Sequence, residues 1–205
     1  MVELGRLIVD SAALLPRQLV LEKQVFSALS LQADYLLVMT LPGDYQPGEG
    51  QYAMVQHLLN QGVDLNSQLE TAELDLRPIV PCWITAPLPE RYAFRRIVVF
   101  ECEPAELTGR DIWMAYDAVR LFHGQSTVFK LANTVLAGID ATTAMFRNLF
   151  RMSFFASVSC AARAPLHDAS ILVDDAHTSE QSTVEYFMQL AAAYQNPPNY
   201  PPQVQ

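Results

Sequence analysis

A chain of 205 residues, of which 51% are hydrophobic, can bury the core of one folded domain, and this excludes wholesale disorder. Its formal net charge of −9 argues against a nucleic-acid-binding protein, because such proteins need a basic surface to displace counterions. No run of about 18 apolar residues is present, so a membrane span is not expected.

Three cysteines, at positions 82, 102 and 160, are odd in number and share no short spacing. This pattern argues against a disulfide framework and against a zinc site. A reduced protein in the cytoplasm is the simplest interpretation. We expect a single globular domain over residues 1–194 and an extended proline-rich tail over residues 195–205.

The first third of the chain is predicted to alternate short strands with helices, because apolar runs favour strands and apolar residues at helical spacing favour helices. Residues 41–50 contain two Pro-Gly pairs, which predict turns. Gly62 is placed to cap the helix that follows this loop. The predicted strands are Leu7–Val9 and Tyr35–Thr40, and the predicted helices are residues 16–31 and 51–61.

Residues 66–76 fit no single pattern, although a helix is favoured there. Two strands are predicted next, over residues 79–85 and 94–100. The connection between them, residues 86–93, contains two prolines and is too short for a helical crossover. The two strands are therefore expected to form an antiparallel hairpin.

The last part of the chain is predicted to be helical, apart from one strand. Residues 111–162 carry a helical pattern throughout, which we interpret as three helices. The apolar run Ile171–Val173 predicts a strand. Thr178 and Gln181 then form a capping-box pattern that begins the last helix.

Together these elements predict an α+β domain. Its mixed sheet would have about four to five strands, including one hairpin, and six or seven helices would cover it. A three-layer α/β arrangement with mostly parallel strands is the alternative.

The strongest candidate for chemistry is the end of the last strand, where Asp174, Asp175 and His177 follow the apolar run. They could act as acid and base, or Asp174 and Asp175 could ligate a divalent metal. Glu101 ends another apolar run and would join them if the two strands were parallel neighbours. The alternative is that the aspartates only close the strand, near the positive end of the last helix.

Other catalytic patterns are incomplete. An apolar run that ends in two acids is typical of the magnesium-binding strand of P-loop nucleotide hydrolases. The stretch Gly43–Gly50, however, has Glu49 where the phosphate-binding lysine is required. Ser126 lacks the G-x-S-x-G pattern of a serine hydrolase. Cys160 lies in a run apolar enough to be core, where thiols are usually inert.

Residues 118–167 carry five basic residues and one acidic residue, whereas the whole chain has a net charge of −9. Arg147 and Arg151 are four residues apart and share one face of a helix that is predicted to be buried almost all round. The two arginines must then meet carboxylates, either within this chain or in a protein partner. An anionic membrane surface is a third alternative, and the negative net charge disfavours it.

The tail contains a second candidate contact with a partner. Pro197, Pro198 and Tyr200 follow the pattern P-P-x-Y, which resembles the ligands of WW domains. More generally, the tail could lie along a neighbouring subunit.

No complete catalytic motif is present, so the sequence favours a non-enzymatic protein-interaction role. The protein would be an adaptor, a chaperone-like subunit or a structural component of an assembly, with a protein partner or a homo-oligomer and no cofactor. The alternative is a metal-dependent hydrolase or transferase centred on Asp174, Asp175 and His177, helped by Glu101 and using a divalent metal.

Overall fold

We analysed a computed structural model, which describes residues 2–10, 17–24, 32–48, 53–101, 109–123, 129–133, 144–163, 166–174 and 180–196. Within these residues the chain forms eight strands and five helices. The strands are β1 (Val2–Asp10), β2 (Arg17–Gln24), β3 (Ala33–Thr40), β4 (Leu74–Asp75), β5 (Cys82–Ile84), β6 (Phe94–Glu101), β7 (Phe129–Asn133) and β8 (Leu166–Asp174). The helices are α1 (Ala53–Asn60), α2 (Leu65–Glu70), α3 (Gly109–His123), α4 (Ala144–Arg163) and α5 (Glu180–Gln195).

All eight strands join one mixed sheet in the order β1-β2-β8-β7-β3-β6-β5-β4. The middle of the sheet consists of five strands that run parallel to one another: β2, β8, β7, β3 and β6. Antiparallel strands complete both sides, β1 beside β2 and the pair β5 and β4 beside β6. The predicted α+β class is confirmed, although the sheet has more strands than expected and fewer helices are seen in the described residues.

Strand β3 lies in the middle of the sheet and is buried on both faces, from Tyr35 to Thr40. Leu37 and Met39 belong to the core on the face covered by α3, α4 and α5. Leu36 and Val38 belong to a second core, on the face covered by α1 and α2. Helices on both faces explain why this strand is a continuous apolar run rather than an alternating one.

The connections between parallel strands place the helices on these two faces. From β3 the chain runs through α1 and later reaches β6, which lies on one side of β3. From β6 it runs through α3 to β7, which lies on the other side of β3. Crossovers between parallel strands are right-handed. When the chain adds strands in the opposite direction along the sheet, its connecting helices therefore lie on the opposite face. This accounts for α1 on one face and α3 and α4 on the other.

Two local predictions are confirmed in detail. The hairpin of β5 and β6 is antiparallel, with Trp83 opposite Val99. Gly62 ends α1 with a φ of 86°, in the left-handed region that glycine adopts without strain. The N–H of Val63 donates to the carbonyl of Leu58 at 2.9 Å, which is the closing hydrogen bond of a Schellman motif.

Two helix predictions are wrong, because segments predicted to be helical are strands. Residues 17–24 form β2, in which Leu19 and Leu21 face one core while Val20 points to the other face and is also buried. Because both faces of this part of β2 are buried, Leu19, Val20 and Leu21 are all apolar, and such a run resembles the apolar stripe of a helix. Residues 129–133 form β7, inserted between β3 and β8. Five residues are too few for periodicity to separate a strand from a helix.

None of the helices in the described ranges combines the length and the apolar character that crossing a membrane requires.

Helix α5 is anchored on the sheet by Phe187, whose ring packs edge-on against Phe150 and Phe154 and contacts Gly5 of β1. We predict that Phe187→Ala lowers the free energy of unfolding by about 3–5 kcal/mol, the usual cost of an aromatic cavity in a core. Urea unfolding measures this change. Met188→Ala is the matched control because its side chain is 53% exposed, and it should change stability by less than about 0.5 kcal/mol. Equal effects of the two substitutions would contradict the packing of α5.

Candidate functional site

The carboxyl ends of the five parallel strands meet at one edge of the sheet, which we call the carboxyl edge. Strands β3 and β7 are neighbours there, but their onward connections run to opposite sides and opposite faces. In open sheets such a switch point opens a crevice in which ligands bind. The strands end at Gln24, Thr40, Glu101, Asn133 and Asp174.

Register shows how these ends are arranged. Asn133 is level with Leu37 of β3 and with Ile171 of β8, so β3 and β8 continue three residues beyond the last pairs that β7 makes with them. Thr40 is paired with Glu101, its neighbour on β6. The switch point between β3 and β7 therefore has Thr40 and Glu101 on one side and Asp174 on the other.

The sequence hypothesis placed Glu101 beside Asp174 if their strands were parallel neighbours. The strands are parallel and share the carboxyl edge, but β7 and β3 lie between them. Three inter-strand spacings separate the two positions by roughly 14 Å, which is too far for a shared metal or proton. Asp175 and His177 lie outside the described residues. In the part of the chain that the structure describes, no group of three or more His, Cys, Asp or Glu side chains could hold a metal ion.

Glu101 is instead the centre of a buried hydrogen-bond cluster, with only 8% of the residue exposed. The N–H of Gly43 donates to its Oε2 at 3.2 Å, and the indole N–H of Trp83 donates to its Oε1 at 3.1 Å. The phenol of Tyr45 donates to the same Oε1. The guanidinium of Arg77 lies 3.5 Å from that oxygen and compensates its charge. A buried carboxylate needs such partners, because an unpaired charge in the interior is costly.

Arg77 is itself held in place by Asp75 on β4. The two side chains form a fork, with Nη2 to Oδ2 at 2.6 Å and Nε to Oδ1 at 2.9 Å. The ring of Tyr45 stands edge-on to Trp83, with centroids 5.7 Å apart. The cluster therefore ties residues from three separate segments to the end of β6.

One of these segments, residues 41–48, leaves the end of β3 and is named here the turn segment. Its first four residues form a turn in which the N–H of Asp44 donates to the carbonyl of Leu41 at 3.2 Å. Pro42 and Gly43 occupy the central positions, and Gly43 has a φ of 65°. This is the pattern of a type II turn, and it confirms the first predicted Pro-Gly turn.

The sequence did not reveal this cluster. Gly43 could be predicted to occupy a turn, but Tyr45, Arg77 and Trp83 carry no motif that links them to Glu101. Their contacts depend on the order of strands in the sheet, which local patterns do not specify.

Four helices follow the parallel strands and begin on the side of the carboxyl edge: α1, α3, α4 and α5. The N-terminus of a helix carries a partial positive charge and free N–H groups, which favour anions. The first turns of α1 and α4 contain no acidic residue that would offset this charge. In α5 the first residue, Glu180, contacts Lys23 of β2 at 3.3 Å.

Cavities are also found away from the carboxyl edge. The larger, about 570 Å³, lies at the opposite edge, between Ala33 and Phe94 at the starts of β3 and β6 and the connection of residues 87–90. The smaller, about 320 Å³, is almost wholly apolar and lies between residues 74–80 and α3. We favour the carboxyl edge because the first residues of parallel strands rarely form ligand sites, whereas a switch point usually does.

The predicted partner-binding arginines lie on α4, and that helix is not buried all round as expected. Arg147 and Arg151 are exposed, and Phe155, one further turn along the same face, is 43% exposed. Arg151 donates to the side chain of Asn148 at 3.2 Å. Neither arginine forms an ion pair with a carboxylate of the described residues, so the expected internal pairing is not seen. Pro197, Pro198 and Tyr200 lie outside those residues.

Solved structures similar to this fold are macrodomains. A mutant of the Oceanobacillus iheyensis macrodomain matches with a TM-score of 0.56 and 12% sequence identity, covering 92% of this chain and 99% of that one. A second mutant matches with a TM-score of 0.53 and 10% identity, covering 87% and 90%. The same macrodomain with MES bound matches with a TM-score of 0.50 and 10% identity, covering 85% and 92%.

This chain folds like a macrodomain. No protein-family model and no curated protein sequence matches it. The likeness corrects the functional prediction made from the sequence. The solved structures that share its fold are macrodomains and not adaptors or structural components of assemblies, so the predicted non-enzymatic interaction role is wrong, and the alternative of a metal-dependent hydrolase also gains no support.

The cluster makes a prediction about pH. Burial, followed by the hydrogen bond to Glu101, raises the pKa of Tyr45 from 10.0 to about 12. A raised pKa means that the folded state favours the neutral phenol, so this stabilisation is complete below pH 10 and is lost as the pH approaches 12. The stability difference between the wild type and Tyr45→Phe should shrink by about 2–3 kcal/mol over that interval. Urea unfolding at several pH values measures it, and a constant difference would contradict the buried phenol.

Proposed function

We propose that this chain binds a small nucleotide of the ADP-ribose class in the crevice at the carboxyl ends of β3 and β7. The observation that carries the proposal is the macrodomain fold, which extends over nearly the whole chain. Macrodomains are ADP-ribose-binding domains. The switch point between β3 and β7 supports this edge of the sheet as the ligand site.

The electrostatics of the edge support a ligand that carries a diphosphate. The starts of α1 and α4 offer partial positive charge that no acid in their first turns offsets. Glu101 is the acid nearest to Thr40 on the sheet, but its carboxylate already accepts hydrogen bonds and is compensated by Arg77. Its charge is therefore directed into the protein rather than toward the ligand.

Asp174, Asp175 and His177 enter this proposal in a new role. Asp174 ends β8, across β7 from the end of β3, and Asp175 and His177 follow it in the sequence. We propose that these residues contact the ligand rather than form a catalytic metal centre. Carboxylates accept hydrogen bonds from ribose hydroxyl groups in other nucleotide-binding sheets. A divalent metal held by Asp174 and Asp175 is tested by repeating the binding measurement with Mg²⁺ present.

Binding is tested by isothermal titration calorimetry with ADP-ribose, alongside thermal unfolding. ADP-ribose should raise the unfolding midpoint, because a ligand at 100 times its Kd adds about 2.7 kcal/mol of stability. Ribose 5-phosphate, which lacks the adenosine monophosphate part of ADP-ribose, should bind more weakly. Asp175→Asn should weaken ADP-ribose binding by about tenfold, the loss of one charge-assisted hydrogen bond.

Glu90→Gln is the matched control, because Glu90 lines the large cavity at the opposite edge of the sheet and is exposed. It removes one carboxylate and should leave ADP-ribose binding unchanged. Binding that is lost in Glu90→Gln and kept in Asp175→Asn would move the site to the other edge. If ADP-ribose produces neither a heat of binding nor a shift of the unfolding midpoint, the proposed ligand class is wrong.

The cellular location and a protein partner also stay proposals. A cytoplasmic protein agrees with the free thiol of Cys82. A partner or a homo-oligomer is supported by the exposed stripe of Arg147, Arg151 and Phe155 on α4, since arginine and aromatic residues are enriched at interfaces.

A further inference from the structure

We propose that Glu101 is the positioning residue of the turn segment, and that it thereby sets one wall of the ligand crevice. The inference rests on the proposed function, because it concerns the same crevice. The turn segment begins at the end of β3, one of the two strands that define the switch point. Its placement therefore determines which backbone groups a ligand meets on that side.

All four recorded partners of the carboxylate approach it as donors. Gly43 donates to Oε2, whereas Tyr45, Trp83 and Arg77 approach Oε1. An ionised carboxylate has acceptors only and satisfies all of them, whereas an amide must present an NH₂ group to one side. Glutamate at this position is therefore required by the direction of the hydrogen bonds and not only by size.

The same geometry predicts which contact an amide would lose. If the NH₂ group faced the Oε1 side, it would oppose two donors that cannot reverse, the indole of Trp83 and the guanidinium of Arg77. If it faced the Oε2 side, it would oppose only the N–H of Gly43. Glu101→Gln should therefore keep the contacts to Trp83, Arg77 and Tyr45 and lose the hydrogen bond from Gly43 in the turn segment.

The strand itself does not depend on this carboxylate. The backbone N–H of Glu101 donates to the carbonyl of Pro81 at 2.7 Å, and β6 pairs with β3 along its whole length. Tyr45 adds a second attachment of the turn segment, through its edge-on contact with Trp83. Loss of the carboxylate should thus change the turn segment while β3 and β6 stay paired.

Amide hydrogen exchange of the unliganded protein, followed by NMR, tests the positioning role without any ligand. In Glu101→Gln the amide of Gly43 should exchange at least about tenfold faster than in the wild type, since its hydrogen bond to a charged acceptor is lost. The amide of Val99, inside β6, should not change. Unchanged exchange at Gly43 would overturn the inference.

Glu73→Gln is the matched control for this substitution. Glu73 pairs with Arg96 at 2.8 Å in the neighbouring region of the sheet, outside the cluster. It also exchanges one paired carboxylate for an amide, and it should leave the exchange of Gly43 at the wild-type rate. Equal acceleration at Gly43 in both variants would show a general loosening and would overturn the specific role of Glu101.

Titration with ADP-ribose then tests whether the position of the turn segment affects ligand affinity. Glu101→Gln should weaken binding by about tenfold, and Tyr45→Phe, which keeps the charge and the ring, by a smaller factor. If the wild type binds and Glu101→Gln binds equally well, the inference is overturned. If the wild type does not bind ADP-ribose, the ligand class fails, and the exchange of Gly43 still decides whether Glu101 positions the turn segment.

Discussion

The parallel pairing of β3 with β6 on one side and β7 on the other is the constraint on which the structure depends. Parallel neighbours cannot be joined by tight turns, so each connection must return across a face of the sheet. Because the chain leaves β3 toward β6 and later reaches β7 on the other side, the helices divide between the two faces. The same reversal makes the carboxyl ends of β3 and β7 the point where the connections diverge.

Glu101 connects this topology to the proposed ligand site. A carboxylate at the end of a buried strand would destabilise the fold if it were unpaired. Here its partners come from the segment after β3, from β5 and from the connection after β4. Two of its donors, Gly43 and Tyr45, belong to the turn segment, so the hydrogen bonds that satisfy this carboxylate also hold the turn segment against the end of β6.

Local sequence patterns predicted a substantial part of the fold. The runs Tyr35–Thr40 and Phe94–Phe100, the hairpin and the cap at Gly62 depend on neighbouring residues, and all are confirmed. The strand β2 was missed because both of its faces are buried, so it has no alternation, and β7 was missed because five residues are too few to separate a strand from a helix. Strand order depends on contacts between distant segments, so the separation of Glu101 from Asp174 could not be predicted.

The functional prediction failed for a related reason. The chain has no complete catalytic motif, and its acidity and its arginine-containing helix favoured an interaction protein. A ligand crevice at a switch point is formed by strand order and by helix N-termini, which leave little trace in residue types. In the sequence, Glu49 argued against a phosphate-binding loop and Glu101 was assigned to a possible metal or acid–base site, whereas the structure shows that Glu101 is compensated by Arg77.

Hydrogen exchange of the wild-type protein, measured by mass spectrometry with and without saturating ADP-ribose, tests the location of the site most directly. The ligand should slow exchange in peptides that contain the ends of β3 and β7, including the turn segment. Peptides that cover residues 86–95, at the opposite edge of the sheet, should be unaffected. Protection at residues 86–95 with none at the carboxyl edge would show that the ligand binds at the opposite edge.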